Sequence, residues 1–406
     1  MLEVGRLYFL YLSMILPLST FPDFNFYSTP LLVLVVQGVL LSGLLFAKFS
    51  KGKNISHFIL ASILLLVCYQ QICYTVGFMG WYNVYKTTKI NYWLMPIALA
   101  LGPLIYFYVK SITQSNFKFK RRDVLHFALA ICLILFRVFI YIYDSLQPGF
   151  NDKQNGVLKI ALDENIVQPV LVFLDFSVML LYLAFTFQLF YNYRTKIKEY
   201  FSNTYKLELN WVLSFLIVFT SLFLYSSIQT VINVAFIELS YTQQWWLNLF
   251  MAIITIYIGV RGYFTDTGKL NNLSFSFTPN EIKTVQKETN QNISEDEVQL
   301  ISEFMKTEKP YLNSELNLSD LASELEMHRN ELSQIINKGF QKNFNDFINE
   351  FRVNAFKKEL ENGAHKQLSL LGIAMDCGFN SKATFNRVFK KITNTSPTEF
   401  LQNLPK

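Results

Sequence analysis

The order of apolar and polar positions divides the chain into two parts. Seven runs of about 20 apolar residues occupy the first two thirds, and stretches such as Leu31–Val36 lack the polar face that a surface helix repeats every 3.6 residues. A helix needs about 20 apolar residues to cross a bilayer core. The pattern therefore predicts seven membrane spans, near residues 30–49, 55–77, 91–111, 125–143, 166–191, 210–237 and 244–263.

The last third of the chain instead shows short amphipathic helices separated by turn signals. Two pairs of short helices are predicted around a longer helix at about 343–361. Ser319 is expected to cap the first of them, and Gly378 to hold a turn that requires a positive φ. Two helix–turn–helix units joined by one helix form an arrangement in which each second helix enters a DNA major groove.

The composition supports this division. Hydrophobic residues make up 51% of the chain and charged residues only 16%, against about a quarter in soluble domains. This balance excludes a disordered protein and disfavours a wholly soluble one. Four scattered cysteines are too few for a disulfide scaffold or a zinc ribbon, and no metal site is predicted.

Basic residues between the spans predict how the chain is oriented. The loops after spans one, three and five carry twelve lysines and arginines, whereas the alternate loops carry four. Because cytoplasmic loops are enriched in basic residues, the first set is expected to face the cytoplasm. The C-terminal third then also lies in the cytoplasm, so we expect a multi-pass protein of the cytoplasmic (inner) membrane.

These patterns predict four segments. Residues 1–29 hold an apolar stretch that is compatible with either a signal peptide or an eighth span, and residues 30–264 form a seven-span sensor domain. Residues 265–296 form a polar juxtamembrane linker, and residues 297–406 form a cytoplasmic DNA-binding domain. The predicted fold class is all-α: a polytopic transmembrane helical bundle followed by a double helix–turn–helix domain.

Two ionisable residues stand out inside the predicted spans. Arg137 in span four and Asp175 in span five fall at comparable depth in the outer half of the membrane. Charges at such positions are costly and commonly functional, so an ion pair between them is predicted. Two interpretations stay open: a part in sensing a signal, or a structural role, which includes an Arg137 that extends to the outer surface.

Three segments carry a family resemblance: LNLSDLASELEMHRNELSQIIN, NFNDFINEFR and IAMDCGFNSKATFNRVFKK. In this order they resemble the DNA-binding domain of AraC/XylS-type transcriptional regulators, over about residues 298–403. The first two thirds of the chain resemble the membrane half of membrane-embedded members, most visibly in GPLIYFYVKSIT.

The resemblance implies which side chains meet DNA. The first recognition helix would present Arg329, Asn330, Ser333, Gln334 and Asn337, and the second Lys382, Ala383, Asn386, Arg387, Lys390 and Lys391. Arginine and lysine suit guanine, asparagine and glutamine suit adenine, and lysine also suits phosphate. His328 stands where the family usually has a small capping hydroxyl, so the first recognition helix is expected to be weakly capped.

Chemistry of other kinds is absent from the sequence. It contains no phosphate-binding loop, no zincin motif and no spacing typical of a nucleophile and its base, so neither an enzyme nor a cofactor is predicted. We expect a membrane-anchored one-component transcriptional regulator that senses an unknown signal ligand. Its expected partners are double-stranded promoter DNA, the lipid bilayer, RNA polymerase and a second copy of the chain. The alternative is a transporter or membrane receptor whose cytoplasmic domain mediates protein–protein contacts.

Overall fold

The computed structural model describes residues 21–85, 87–94, 97–114, 117–205, 207–236, 240, 242–265 and 293–403. Most of the predicted segment 1–29 and most of the predicted linker 265–296 lie outside the described residues. The choice between a signal peptide and an eighth span therefore lies outside them as well. Within the described residues the regular structure is helical, with one isolated β-bridge between Phe201 and Asn317.

The chain divides into two compact units. The first combines Met1–Leu189 with Trp211–Ser276, and the second combines Phe190–Asn210 with Phe277–Lys406. The second unit therefore contains the C-terminal third together with the segment that follows the fifth span.

Among the residues that the structure describes, seven helical stretches are long and apolar enough to cross a membrane, as predicted. Many of their apolar side chains are exposed, including Leu40 at 63% and Phe173 at 74%. A surface of this kind is unfavourable in water and suits a bilayer. The main helices are α1 (Ser28–Gly52), α2 (Ile55–Phe78), α3 (Leu101–Thr113), α4 (Ala128–Ser145), α5 (Gln168–Tyr200), α6 (Asn210–Ala235) and α7 (Trp245–Phe264).

Two spans differ from their predicted form. The third is interrupted: a four-residue helix, Ile90–Trp93, precedes a short 3₁₀ turn and α3. The fifth is longer than predicted, because a π-helix at Lys159–Val167 leads into α5, which ends at Tyr200. The last part of α5 therefore belongs to the second unit.

In its described part, the second unit contains seven further α-helices. They are α8 (Glu295–Thr307), α9 (Leu318–Glu324), α10 (Arg329–Gln334), α11 (Phe344–Glu361), α12 (Leu370–Asp376), α13 (Lys382–Thr393) and α14 (Pro397–Gln402). The cap expected at Ser319 is instead supplied by Asn317, whose side chain accepts hydrogen bonds from the backbone N–H groups of Ser319 and Asp320 at 2.9 and 3.0 Å.

Helix α11 joins two hydrophobic cores. Phe347 and Ile348 pack into the core around α9 and α10, whereas Val353 and Phe356 pack into the core around α12 and α13. The 18 residues of α11 span about 27 Å at 1.5 Å per residue. One rigid helix therefore sets the spacing of the two helix–turn–helix units.

Gly378 forms the turn between α12 and α13. Its φ is +90°, as the sequence predicted. A Cβ at this position would also lie 2.3 Å from the carbonyl oxygen of Tyr311 and 2.9 Å from Nε of Arg352. Both the backbone conformation and the close approach of Tyr311 and Arg352 require glycine here.

Candidate nucleic-acid interface

The first candidate recognition helix is α10 with its continuation Ile335–Gly339. Nδ1 of His328 accepts a hydrogen bond from the backbone N–H of Asn330 at 3.3 Å. The cap is therefore present, and the donor–acceptor distance of its hydrogen bond is longer than most. This geometry requires an unprotonated Nδ1, because a protonated ring nitrogen cannot accept.

The five residues predicted to meet DNA on this helix share one face by their spacing. The opposite face is anchored in the core by the buried side chains of Leu332, Ile335 and Ile336. Asn330 and Asn337 are exposed, while Arg329, Ser333 and Gln334 are half-buried.

The second candidate recognition helix is α13, which has one face buried in the core and one face exposed. Phe385 and Phe389 are fully buried against α11, and Ser381 caps the helix by accepting a hydrogen bond from the backbone N–H of Thr384 at 3.2 Å. All six side chains predicted to meet DNA are exposed on the remaining surface: Lys382, Ala383, Asn386, Arg387, Lys390 and Lys391.

Two of these six side chains already have carboxylate partners within the unit. Nη1 of Arg387 lies 3.0 Å from both carboxylate oxygens of Glu208, and Nζ of Lys391 lies 2.6 Å from Oδ1 of Asp346. Arg387 remains 51% exposed, whereas the side chain of Glu208 is only 1% exposed. The candidate interface is therefore partly neutralised by the protein itself.

The carboxylate of Glu208 is held by several donors besides Arg387. The hydroxyl of Thr204 donates to it at 2.8 Å, and the amide of Asn210 donates at 3.3 Å. Burial alone would raise the pKa of Glu208, but the hydrogen bond from Thr204 and the charge of Arg387 outweigh burial and lower it. Glu208 is therefore ionised at neutral pH.

The stretch that carries Glu208, which we call the docking segment (residues 200–208), is fastened to the helix–turn–helix domain at its other end. The hydroxyl of Ser202 donates to the carbonyl of Leu316 at 2.6 Å. The side-chain amide of Asn345 donates to the carbonyls of Phe201 and Ser202 at 3.1 and 2.8 Å. These bonds add a strand-like contact to the edge of the first helix–turn–helix unit.

Arg352 connects the docking segment to the interior. Its side chain is 1% exposed and donates to the carbonyls of Tyr311 and Asn313, both at 2.8 Å, and to the hydroxyl of Ser202 at 3.1 Å. Burial lowers the pKa of Arg352 to about 10, which leaves it charged at neutral pH. This arginine therefore serves as a buried structural link.

The docking segment also meets the first recognition helix. The guanidinium of Arg329 lies over the ring of Tyr200, 5.3 Å from its centroid. The segment therefore contacts one predicted DNA-reading arginine in each helix–turn–helix unit. The sequence did not indicate these contacts, although Glu199 and Glu208 interrupt an otherwise basic loop.

In the first unit, the ion-pair partner of Arg137 is Asp163 rather than the predicted Asp175, although the charge of Arg137 also acts on Asp175. Nε of Arg137 lies 3.6 Å from Oδ1 of Asp163, and Asp163 also forms an ion pair with Lys159. Oδ1 of Asp175 is buried and has no hydrogen-bond partner among the described residues. Depth along two straight spans suggested Asp175, but the π-helix that precedes α5 brings Asp163 to the arginine instead.

Asp144 completes a buried polar cluster near these residues. It accepts hydrogen bonds from the hydroxyl of Tyr92 at 2.8 Å and from the backbone N–H groups of Leu158 and Lys159, each at 2.9 Å. Asp144, Lys159 and Asp163 are each at most 1% exposed. These residues were not identified from the sequence, because they lie between the predicted spans four and five. The four-residue spacing of Lys159 and Asp163 is nevertheless typical of an ion pair on a helix. No group of three His, Cys, Asp or Glu side chains that could hold a metal occurs in the described parts of the chain.

Comparison with known proteins adds two findings. A helix-turn-helix domain family matches residues 321–403. The "Probable transcription factor PqrA" of Proteus vulgaris is 35% identical over 97 aligned residues, which cover 20% of this chain and 77% of that protein. No solved structure matches. The matched region 321–403 contains both candidate recognition helices and the helix that joins them.

Proposed function

Because this chain belongs to the AraC-type helix–turn–helix transcriptional regulators, we propose that it is a membrane-anchored one-component regulator. Its transmembrane domain senses a signal, and its two helix–turn–helix units bind promoter DNA sequence-specifically. The observation that carries the proposal is the pair of helices α10 and α13, each anchored by apolar residues and each presenting a polar face. Regulators of this type act by binding, so the proposal includes no enzymatic activity.

The proposal assigns contacts with DNA to five side chains of the first unit and to six of the second. On α13, Arg387 suits guanine, Asn386 suits adenine, and Ala383 suits the methyl group of thymine. Lys390 and Lys391 lie in the last turn of the helix and suit phosphates. On α10, Arg329, Asn330, Ser333, Gln334 and Asn337 have the corresponding role.

The seven candidate spans support a multi-pass location in the cytoplasmic membrane. The basic residues of the loops after spans one, three and five support a cytoplasmic C-terminal domain, where promoter DNA and RNA polymerase are found. A second copy of the chain is a further proposed partner, since two copies would present four recognition helices to one promoter. We retain Arg137 and Asp175 as sensor candidates and add Asp163, the ion-pair partner of Arg137.

The experiment is a selection of DNA from a random pool by the full-length protein in lipid nanodiscs, followed by affinity measurements on the enriched sequence. We expect a motif with two half-sites about one helical turn, or about 34 Å, apart. The affinity should fall steeply with salt, because phosphate contacts release counterions.

A matched pair of variants tests the assigned face. Asn386→Ala should weaken binding to the selected motif by about 1–3 kcal/mol and relax the preference for one base. Lys366→Ala, on an exposed turn outside both recognition helices, should change the affinity by less than about 0.5 kcal/mol. Failure to enrich any motif would contradict the proposal and favour the alternative of a receptor or transporter with a protein-binding domain.

A further inference from the structure

The docking segment (residues 200–208) meets an arginine on each recognition helix, and the proposed function requires both arginines for DNA. We propose that this segment is an intramolecular inhibitor that competes with promoter DNA for Arg329 and Arg387. The inference rests on the proposed function, since it assumes that these two arginines contact DNA. It adds a regulated state in which the reading surface is occupied by the chain itself.

The contact at Arg387 resembles the contact that DNA would make. An arginine reads guanine through two acceptors, and it binds phosphate through two oxygens. Nη1 of Arg387 instead faces both oxygens of Glu208 at 3.0 Å. Because a carboxylate and a phosphate carry charge of the same sign, Glu208 both occupies the guanidinium and repels the DNA backbone.

The contact at Arg329 blocks a different part of the surface. Its guanidinium lies over the Tyr200 ring at 5.3 Å, and the same ring packs against the core of the first helix–turn–helix unit. Between these two contacts, Ser202 is held by Leu316 and Arg352. The segment is therefore anchored close to Tyr200, and its two ends each restrain one arginine.

The position of the segment in the sequence links the inhibition to the membrane spans. Tyr200 is the last residue of α5 and Asn210 is the first of α6, so the docking segment lies in the connection between spans five and six. A signal that favours a new arrangement of either span must act on this connection. By thermodynamic reciprocity, DNA that displaces the segment must favour the same arrangement of the spans.

The test measures the affinity of full-length protein in nanodiscs for the selected DNA motif. Glu208→Gln keeps the size of the side chain and its hydrogen bond with Thr204, but it removes the charge that holds Arg387. We expect this variant to bind about tenfold more tightly than the wild type, within the range of typical allosteric coupling. Glu199→Gln makes the same chemical change in the last turn of α5, where the charge that acts on the carboxylate is that of Lys196, and should leave the affinity unchanged.

A second variant and a second measurement do not depend on Glu208. Tyr200→Leu keeps an apolar side chain against the core but removes the ring under Arg329, and it should tighten binding about threefold. Hydrogen exchange in residues 200–208 should become faster when DNA is added, because DNA displaces the segment. Slower exchange on DNA addition, or weaker binding by Glu208→Gln, would overturn the inference.

The outcomes separate the two proposals. If the wild type and Glu208→Gln bind one motif with equal affinity, DNA binding stands and the inhibitory role is refuted. If Glu208→Gln and Tyr200→Leu bind more tightly and Glu199→Gln does not, both proposals are supported. If no form of the protein binds any motif above bulk DNA, the proposed function fails and the inhibitory role fails with it.

Discussion

Replacing Gly378 by alanine should destabilise the second unit by at least about 3 kcal/mol. A residue other than glycine pays about 1–2 kcal/mol in the left-handed region, and Gly378 has a φ of +90°. The added methyl would lie 2.3 Å from the carbonyl oxygen of Tyr311, and overpacking of this kind costs about 1–3 kcal/mol. Displacing that carbonyl also weakens its 2.8 Å hydrogen bond with Arg352, worth about 1 kcal/mol.

Gly372→Ala is a matched control in the preceding helix. Its Cβ would meet Oγ of Ser369 at 3.4 Å, an ordinary contact, and its φ does not lie in the left-handed region. Alanine is favoured over glycine inside helices by about 0.5–1 kcal/mol. This variant should therefore be neutral or slightly stabilising, so the two substitutions are expected to differ in sign.

Hydrogen exchange measured by mass spectrometry on the full-length protein in nanodiscs gives the opening free energy of α11 and α13. The wild type and both glycine variants are compared at one temperature and pH. If Gly378→Ala lowers the opening free energy by less than about 1 kcal/mol, or if Gly372→Ala lowers it equally, then the close approach of Tyr311 does not constrain this turn.

Three further expectations concern charge in the second unit. Arg352→Lys should lower the opening free energy of α11 by about 1–3 kcal/mol in the same exchange experiment, because an ammonium cannot reproduce the forked bonds to Tyr311 and Asn313. The pKa of Glu208 is lowered from its ordinary value of about 4.5. The ion pair between Glu208 and Arg387 is therefore fully formed above pH 4.5 and is lost only as pH falls through the lowered pKa. The affinity ratio between Glu208→Gln and wild type should therefore be constant from about pH 6 to 8; a ratio that changes in this range would refute the direction of the pKa shift. Burial and nearby carboxylates raise the pKa of Cys377 to about 12, so alkylation followed by peptide mass spectrometry should find it unmodified in native protein near pH 8 and modified after denaturation.

Much of the architecture could be predicted because it depends on local patterns. The seven candidate spans follow from apolar length, and the helix–turn–helix helices follow from period and turn residues. Gly378 was predicted to hold a positive φ for the same reason, because a turn between two short helices leaves few other roles for a glycine. The first capping residue was placed two positions late, since Asn317 and Ser319 are both good caps and only the structure selects between them.

The ion pairs could not be predicted, because they depend on how elements meet. Arg137 was matched with Asp175 by depth along ideal spans, but the π-helix at Lys159–Val167 changes which carboxylate faces it. Glu208 was not singled out in the sequence analysis. Its contact with Arg387 joins positions 179 residues apart, which no periodicity can reveal.

The place of the docking segment has a consequence for how a signal would reach DNA in the proposed regulator. Spans six and seven separate this segment from the C-terminal domain, and two crossings return the chain to the same side of the membrane. The segment and the recognition helices can therefore meet without crossing the bilayer. Helix α5 runs without a break from the fifth span to Tyr200, whose ring lies under Arg329. A shift or rotation of this helix would move the ring directly, so a signal need not pass through residues 265–296 to change the availability of the DNA-reading arginines.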